Sequence, residues 1–287
     1  MNSKIQSAYS QLFNSKEEIT LTSVGSGSIN HTYRIHSRDQ ACFLKTNSVK
    51  SYPCMFEDEA TGLKLLRHES EFTIPEVFGI VNLDGDSFLF MEMIEPATAK
   101  PSFWIDFGTN LAEMHEHTHS AFGLDTDNYI GSLAQSNTQG ESWIEFFAEQ
   151  RLRPLIKQAV DIGFLESSDL LSFDKLERSL NDFFPEERPS LLHGDLWSGN
   201  YLVGKEGEPV LIDPAVYYGH RYMDLGMMKL FGGFDSRAME SYNEKYLLES
   251  NWSEGIEIAN LYPLLVHVVL FGGGYLGSVR SILRSFV

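Results

Sequence analysis

One stretch constrains this chain more than any other: Leu191-Leu192-His193-Gly194-Asp195-Leu196-Trp197-Ser198-Gly199-Asn200, followed by Val210-Leu211-Ile212-Asp213-Pro214. An apolar, strand-like run enters a polar loop carrying Asp195 and, five residues on, Asn200; a second apolar run ends at Asp213. Taken alone, His-Gly-Asp is a turn, because Gly and Asp both favour tight backbone geometry. The full span asks for more. A carboxylate, an amide and a second carboxylate, set out by two short strands, are what phosphoryl transfer requires. One carboxylate orients an attacking hydroxyl and accepts its proton, and hard oxygen ligands hold Mg²⁺. Asp195 fits the first role, and Asn200 and Asp213 fit the second.

The catalytic loop of protein kinases has the same Asp-to-Asn spacing, with its metal-binding Asp at the end of the next hairpin. Here the loop reads His-Gly-Asp rather than His-Arg-Asp, and the metal residue stands in Ile-Asp-Pro rather than Asp-Phe-Gly. No activation segment ending in an Ala-Pro-Glu-like sequence follows Asp213. These departures point to a kinase of small molecules.

Such a kinase needs a nucleotide site, and the first third of the chain supplies candidates. Residues 1–20 read as a short amphipathic helix with Ile5, Ala8, Tyr9, Leu12 and Phe13 on one face. Leu21–Ile35 reads as strand, Gly/Ser turn, strand. A Gly-rich hairpin at Gly25, Gly27 and Ser28 can lay backbone N–H groups over phosphates, although Asn30 stands where a third Gly would complete the pattern, and a plain hairpin turn fits equally. Lys45 lies inside the apolar strand 41–46, where a cation needs a partner. The following helix, 55–66, offers Glu59 first and Glu57 second; the alternative is an edge-strand lysine and an acidic helix start. Strands at 75–81 and 87–94 lead to a hinge at which backbone groups of Glu92 and Ile94 bond adenine with Met91 behind it. Pro96 and Pro101 bracket a boundary between an N-terminal nucleotide-binding lobe, 1–95, and a C-terminal catalytic lobe, 96–287.

From Ser102 the pattern turns helical, ending in His115-Glu116-His117-Thr118-His119, which reads as a helix end with solvated and capping histidines. Helices are expected near 141–162, 166–183, 236–250 and 255–286. Asp224, at the start of an apolar helix, caps it or braces the catalytic loop.

A formal net charge of −18 argues against general affinity for nucleic acid or anionic membrane. The two cysteines, Cys42 and Cys54, have no metal-type spacing, so a reducing cytoplasm is the expected compartment. No apolar stretch is read as long enough to span a membrane; Leu261–Tyr275 comes nearest, interrupted by His267 and three consecutive glycines.

With these residues in view, the chain resembles the fructosamine-3-kinase (ketosamine-3-kinase) family, within the aminoglycoside-phosphotransferase-like kinases. The resemblance runs nearly the whole length. It rests on Gly27-Ser28-Ile29-Asn30, Phe43-Leu44-Lys45, Met55-Phe56-Glu57-Asp58-Glu59-Ala60, Asp127-Asn128-Tyr129-Ile130-Gly131 with Gln135 and Asn137, Trp143-x-x-Phe146-Phe147, the His193–Asn200 loop, and Leu230-Phe231-Gly232-Gly233-Phe234. It implies an α+β, bilobal protein-kinase-like fold with a small antiparallel-sheet N-lobe and a mainly helical C-lobe. It also implies ATP- and Mg²⁺-dependent phosphorylation of the 3-hydroxyl of a ketosamine, small or protein-bound, in deglycation of amines. By matching position, Lys45 and Glu59 form the nucleotide-positioning pair, Asp195 is the base, and Asn200 and Asp213 are metal ligands. Trp197 is placed as an apolar wall against the sugar, with core packing as the alternative. Some family members carry a Cys in the Gly-rich loop; Ser28 stands there in this chain, so no redox switch carries over. A kinase of another small alcohol, and a silent kinase-fold binding protein, are the competing readings; intact Lys45, Glu59, Asp195, Asn200 and Asp213 weigh against the latter.

Overall fold

The computed structural model describes residues 1–26, 29–38 and 40–286. Gly27 and Ser28 of the expected phosphate-binding turn lie outside the described residues. The chain divides into two compact units: Met1–Phe103 with Tyr201–Asp213, and Trp104–Asn200 with Pro214–Val287. The first break falls after Phe103, and the hairpin after the catalytic loop groups with the N-terminal segment.

In the first unit, α1 (Asn2–Phe13) stops where Asn14 takes a left-handed conformation, earlier than the sequence suggested. Strands β1 (Thr20–Ser26), β2 (His31–His36), β3 (Ala41–Ser48), β4 (Val77–Leu83) and β5 (Asp86–Glu92) form one antiparallel sheet in the order β1-β2-β3-β5-β4. Ile5, Ala8 and Tyr9 of α1 pack on Ile35, Cys42, Leu44, Val81, Phe88 and Phe90. Side chains alternate faces along a strand. Cys42 and Leu44 therefore face α1, and Lys45 turns to the other side, towards α2 (Met55–Glu69). The hairpin β9 (Tyr201–Val203) and β10 (Pro209–Leu211) joins this unit through a parallel bridge from Val210 to Thr73 and a hydrogen bond from Leu211 N to Thr73 O, 3.1 Å.

The second unit is mainly helical. It begins with α3 (Phe103–Glu116, whose first residue belongs to the first unit) and the hairpin β6 (Asn128–Ile130) and β7 (Leu133–Gln135). Then come α4 (Trp143–Phe146), a π-helical stretch Phe147–Leu152, α5 (Arg153–Asp161) and α6 (Ser167–Glu177). Two short strands, β8 (Ser190–Leu192) and β11 (Tyr217–Gly219), pair antiparallel and carry the catalytic loop. The rest is α7 (Tyr222–Phe231), α8 (Ser236–Lys245), α9 (Trp252–Ala259), α10 (Leu261–Phe271), a 3₁₀ turn Gly273–Tyr275 and α11 (Leu276–Phe286).

The single helix expected over 255–286 is thus broken twice. Pro263 has no N–H for the carbonyl of Ala259, so the helix restarts at Leu261. Gly272, at φ 91°, ends α10. Contrary to the sequence reading, Trp252–Phe271 is long and apolar enough by composition to cross a membrane, at 20 residues and mean hydropathy 1.4. Yet 67% of its most apolar window is buried, as in a core helix.

Candidate functional site

In the first unit, burial brings three charges together. Lys45 Nζ donates to Glu59 Oε1 at 2.6 Å and to Asp213 Oδ1. Glu57, the second choice on α2, instead accepts from Asn82 Nδ2 at 3.3 Å. Burial by itself would lower the Lys45 ammonium's hold on its proton, but Asp213 and Glu59 more than offset it and raise the pKa above the ordinary lysine value. Burial pushes Glu59 up, with Asp213 adding to the shift and Lys45 opposing it. Removing Glu59, the buried partner, costs about 3–5 kcal/mol, because the Lys45 charge then loses its enclosed counter-charge.

Asp213 follows β10 at φ 55°, in the left-handed region that non-glycine residues rarely occupy. Backbone in such a region stores about 1–3 kcal/mol and persists only where its surroundings hold it. The Lys45 pair is one such restraint. The Asp213 side chain is 45% exposed, so a hard oxygen remains presented to solvent.

Gly25 lies at the end of β1 opposite Thr32, after a bulge that begins at Ser23. Met91 is buried in β5 opposite Phe43 and Val77. The Glu92 N–H donates to Glu76 O at 2.8 Å, so this group is spent on the sheet margin; Ile94 lies just past the strand. A contact not foreseen from sequence is Asn47 Nδ2 to Asn30 Oδ1, 3.2 Å, which ties β3 to the residues after the Gly-rich turn. Its signal was period two: Asn47 shares the face of Lys45.

In the second unit, the loop after β8 is held by its backbone. Gly194 takes φ 82°, and a Cβ there would stand 2.1 Å from Ala215 O, so only glycine fits. Ala215 N donates to His193 O at 2.9 Å. Asp224, buried in the first turn of α7, accepts from His193 N at 2.7 Å and Gly194 N at 2.9 Å. Of the two roles expected for Asp224, bracing the loop is the one observed. Behind it, His115 lies 3.3 Å from Asp224 Oδ2 through Nε2 and 2.9 Å from Tyr242 Oη through Nδ1. His115 is therefore no solvated helix-end residue: it is fully buried between α7 and α8.

Asn200 Nδ2 donates to the Asp195 backbone oxygen at 2.8 Å and to its carboxylate Oδ2 at 2.9 Å. The amide thereby fixes the orientation of the candidate base, and its oxygen Oδ1 is the atom it can offer a cation. Asn200 Oδ1 is an amide oxygen and the Asp213 side chain a carboxylate, each by itself a hard donor of the kind that Mg²⁺ prefers to softer ligands. Trp197 is 42% exposed and lies over Gly199, where a Cβ would stand 2.3 Å from the indole, so it is a surface ring and not core packing.

A buried polar layer supports the backbone that Gly194 approaches. Asn128 Nδ2 donates to Val216 O at 2.8 Å, and Gln135 Nε2 donates to Ala215 O at 3.2 Å and Asn128 Oδ1 at 2.7 Å. Arg151, fully buried, donates to Asn137 Oδ1 at 2.8 Å and stacks 4.0 Å over Tyr217. The sequence marked Asn128, Gln135 and Asn137 only by resemblance, and it passed over Arg151, whose partners lie on several distant segments.

The family model described as fructosamine kinase matches residues 1–287. The chain belongs to the fructosamine kinase family. Among this family's members, a probable ketoamine kinase of Enterococcus faecium is 38% identical over 267 residues, covering 91% of this chain and 92% of that protein. A chloroplastic protein-ribulosamine 3-kinase of Arabidopsis thaliana is 35% identical over 270 residues, 92% of this chain and 82% of that one. The crystal structure of a Thermobifida fusca protein described as a fructosamine-3-kinase superposes with a TM-score of 0.89 at 34% identity, covering 99% and 98% of the two chains. Aminoglycoside phosphotransferase APH(4)-Ia shares the fold at TM-score 0.67 and 15% identity, over 100% of both chains.

Proposed function

We propose that this fructosamine kinase family member transfers the γ-phosphoryl group of ATP to the 3-hydroxyl of a ketosamine, the Amadori-type adduct of a sugar and an amine. The observation that carries the reading is the Asp195–Asn200 clamp, in a chain whose relatives are named ketoamine kinase and protein-ribulosamine 3-kinase. Asp195 accepts the proton of the attacking hydroxyl. Asn200 keeps that carboxylate in one orientation, which matters because proton transfer needs the base within hydrogen-bond reach of the proton. Lys45, held cationic by Glu59 and Asp213, meets the nucleotide phosphates as a fixed charge. Mg²⁺, for which Asp213 and Asn200 are the candidate ligands, neutralises phosphate charge when bound. Gly25, Gly27 and Ser28 are assigned to the phosphates and the Met91–Ile94 segment to adenine. Trp197 supplies an apolar wall beside the base. The 3-phosphate labilises the adduct and frees the amine, so the role is deglycation. Two free cysteines, Cys42 and Cys54, suit a reducing cytoplasm.

The test is Mg²⁺-dependent ADP release on ribulose-lysine, fructose-lysine, kanamycin and choline, with Asp195→Asn as the blank. We expect turnover of the ketosamines alone, and at least a hundredfold lower kcat in Asp195→Asn with folding and ATP binding retained. Turnover of kanamycin or choline alone would overturn the substrate assignment. Full activity in Asp195→Asn would remove that residue from the base role.

A further inference from the structure

Aromatic rings continue away from the catalytic loop within the second unit. Trp197, two residues after Asp195, stands edge-on to Phe231 at a centroid distance of 6.4 Å. Phe231 lies 4.9 Å from the His267 ring, which is 4.8 Å from Tyr275 and 5.3 Å from Phe271. Phe271 is 56% exposed. The rings come from the catalytic loop, the end of α7, the end of α10 and the 3₁₀ turn after it. Core closure would bury rings like these. Here a partly exposed row begins beside the candidate base.

His267 Nδ1 lies 2.7 Å from the Pro263 carbonyl oxygen, which can only accept, so Nδ1 carries the hydrogen. In the neutral ring Nε2 is then an acceptor. Burial lowers the pKa of this imidazole, which keeps it neutral at neutral pH. Aromatic faces together with one neutral acceptor attract a cation borne on an apolar chain. A ketosamine has that form. Its nitrogen is a protonated secondary amine on C1, two carbons from the 3-hydroxyl, and it carries the alkyl chain of the parent amine.

We propose that the row Trp197, Phe231, His267, Phe271 and Tyr275 is the subsite for the amine side of the substrate. The Trp197 end takes the ammonium group, and Phe271 with Tyr275 takes the alkyl or peptide chain of a lysine-borne adduct. The assignment rests on the ketosamine reading above and deepens it, committing the enzyme to adducts on lysine chains. The net charge of −18 works in the same direction, drawing cationic adducts at long range.

Two substrates separate the subsite from the chemistry: a ribulosamine on lysine within a short peptide, and the ribulosamine of methylamine, which has no chain to dock. In Phe271→Ala, and independently in Tyr275→Ala, KM for the peptide substrate should rise about tenfold with kcat unchanged. The kcat/KM for the methylamine adduct should stay within about twofold, and Phe271→Trp should restore peptide KM. Because Phe271 is largely exposed, its truncation should leave thermal unfolding in place. An unchanged peptide KM, or equal losses on both substrates, overturns the subsite while the ketosamine reading stands. Failure of the intact enzyme to phosphorylate either adduct brings down that reading, and the subsite with it.

Discussion

Asp224 Oδ2 accepts the backbone N–H of His193 at 2.7 Å, and the other oxygen of the same carboxylate takes the next N–H along the loop, at 2.9 Å. Both donors are buried. Asp224→Ala strands them, at about 1–3 kcal/mol each. Urea unfolding should therefore register a loss of about 2–5 kcal/mol, with kcat falling as the loop is released. Asp224→Asn keeps the shape but sets an NH₂ group against one donor, so it should recover only part of the loss. Unchanged unfolding in Asp224→Ala would show that the loop is braced by something else.

Glu59→Gln keeps an acceptor near Lys45 but removes a charge. Lys45 then leans towards Asp213, its remaining carboxylate partner. We expect KM for ATP to rise about tenfold with KM for the ketosamine unchanged, the pattern of a lost ground-state contact to the nucleotide. Parallel rises in both constants would place Glu59 outside nucleotide positioning.

His220 gives a pH signature. Its Nε2 donates to Pro185 O at 3.2 Å and its Nδ1 accepts from Tyr222 N at 3.2 Å, so the neutral ring is satisfied on both sides. Burial first, then Arg221 and His115, push its pKa from 6.5 down to about 4, against the pull of Glu187 and the Pro185 carbonyl. Between those values the unfolded chain binds the proton and the folded chain does not. Stability is therefore whole above the ordinary histidine range and lost as pH falls, by up to about 3 kcal/mol. Chemical denaturation between pH 7 and 5 should show the onset of that slope, and His220→Asn should flatten it. An identical slope in the variant would assign the acid sensitivity to other groups.

Gly194→Ala tests the close approach under the loop. Both the left-handed φ of 82° and the 2.1 Å gap to Ala215 O oppose a methyl group. The expected outcome is a loss of about 2–4 kcal/mol in unfolding and near-complete loss of turnover. Wild-type melting and activity in this variant would mean that the loop has room that the backbone geometry denies it.

What could be read in the sequence follows from the range over which each feature is determined. The strands around Lys45, the helix bearing Glu59 and the loop from His193 to Asn200 are local patterns, and the Lys45–Glu59 pairing follows from a buried cation needing a nearby acid. His115 could not be read that way. Its partners Asp224 and Tyr242 lie 109 and 127 residues further along, and nothing near it in sequence says that its side chain is enclosed. Arg151 is hidden for the same reason, since its guanidinium bonds Asn137 and Ser136 and lies over an aromatic ring, with no carboxylate in helical register to announce it. The breaks at Pro263 and Gly272 were written in the sequence, but the apolar run across them concealed three helices as one.

The left-handed backbone at Asp213 carries a last consequence. A glycine would occupy that position without strain, and the Lys45 ammonium would still have Glu59. In a library screened only for survival of heating, Asp213→Gly should therefore be enriched; in one screened for phosphoryl transfer, it should vanish. The residue marks a point where robustness and catalysis pull one codon in opposite directions.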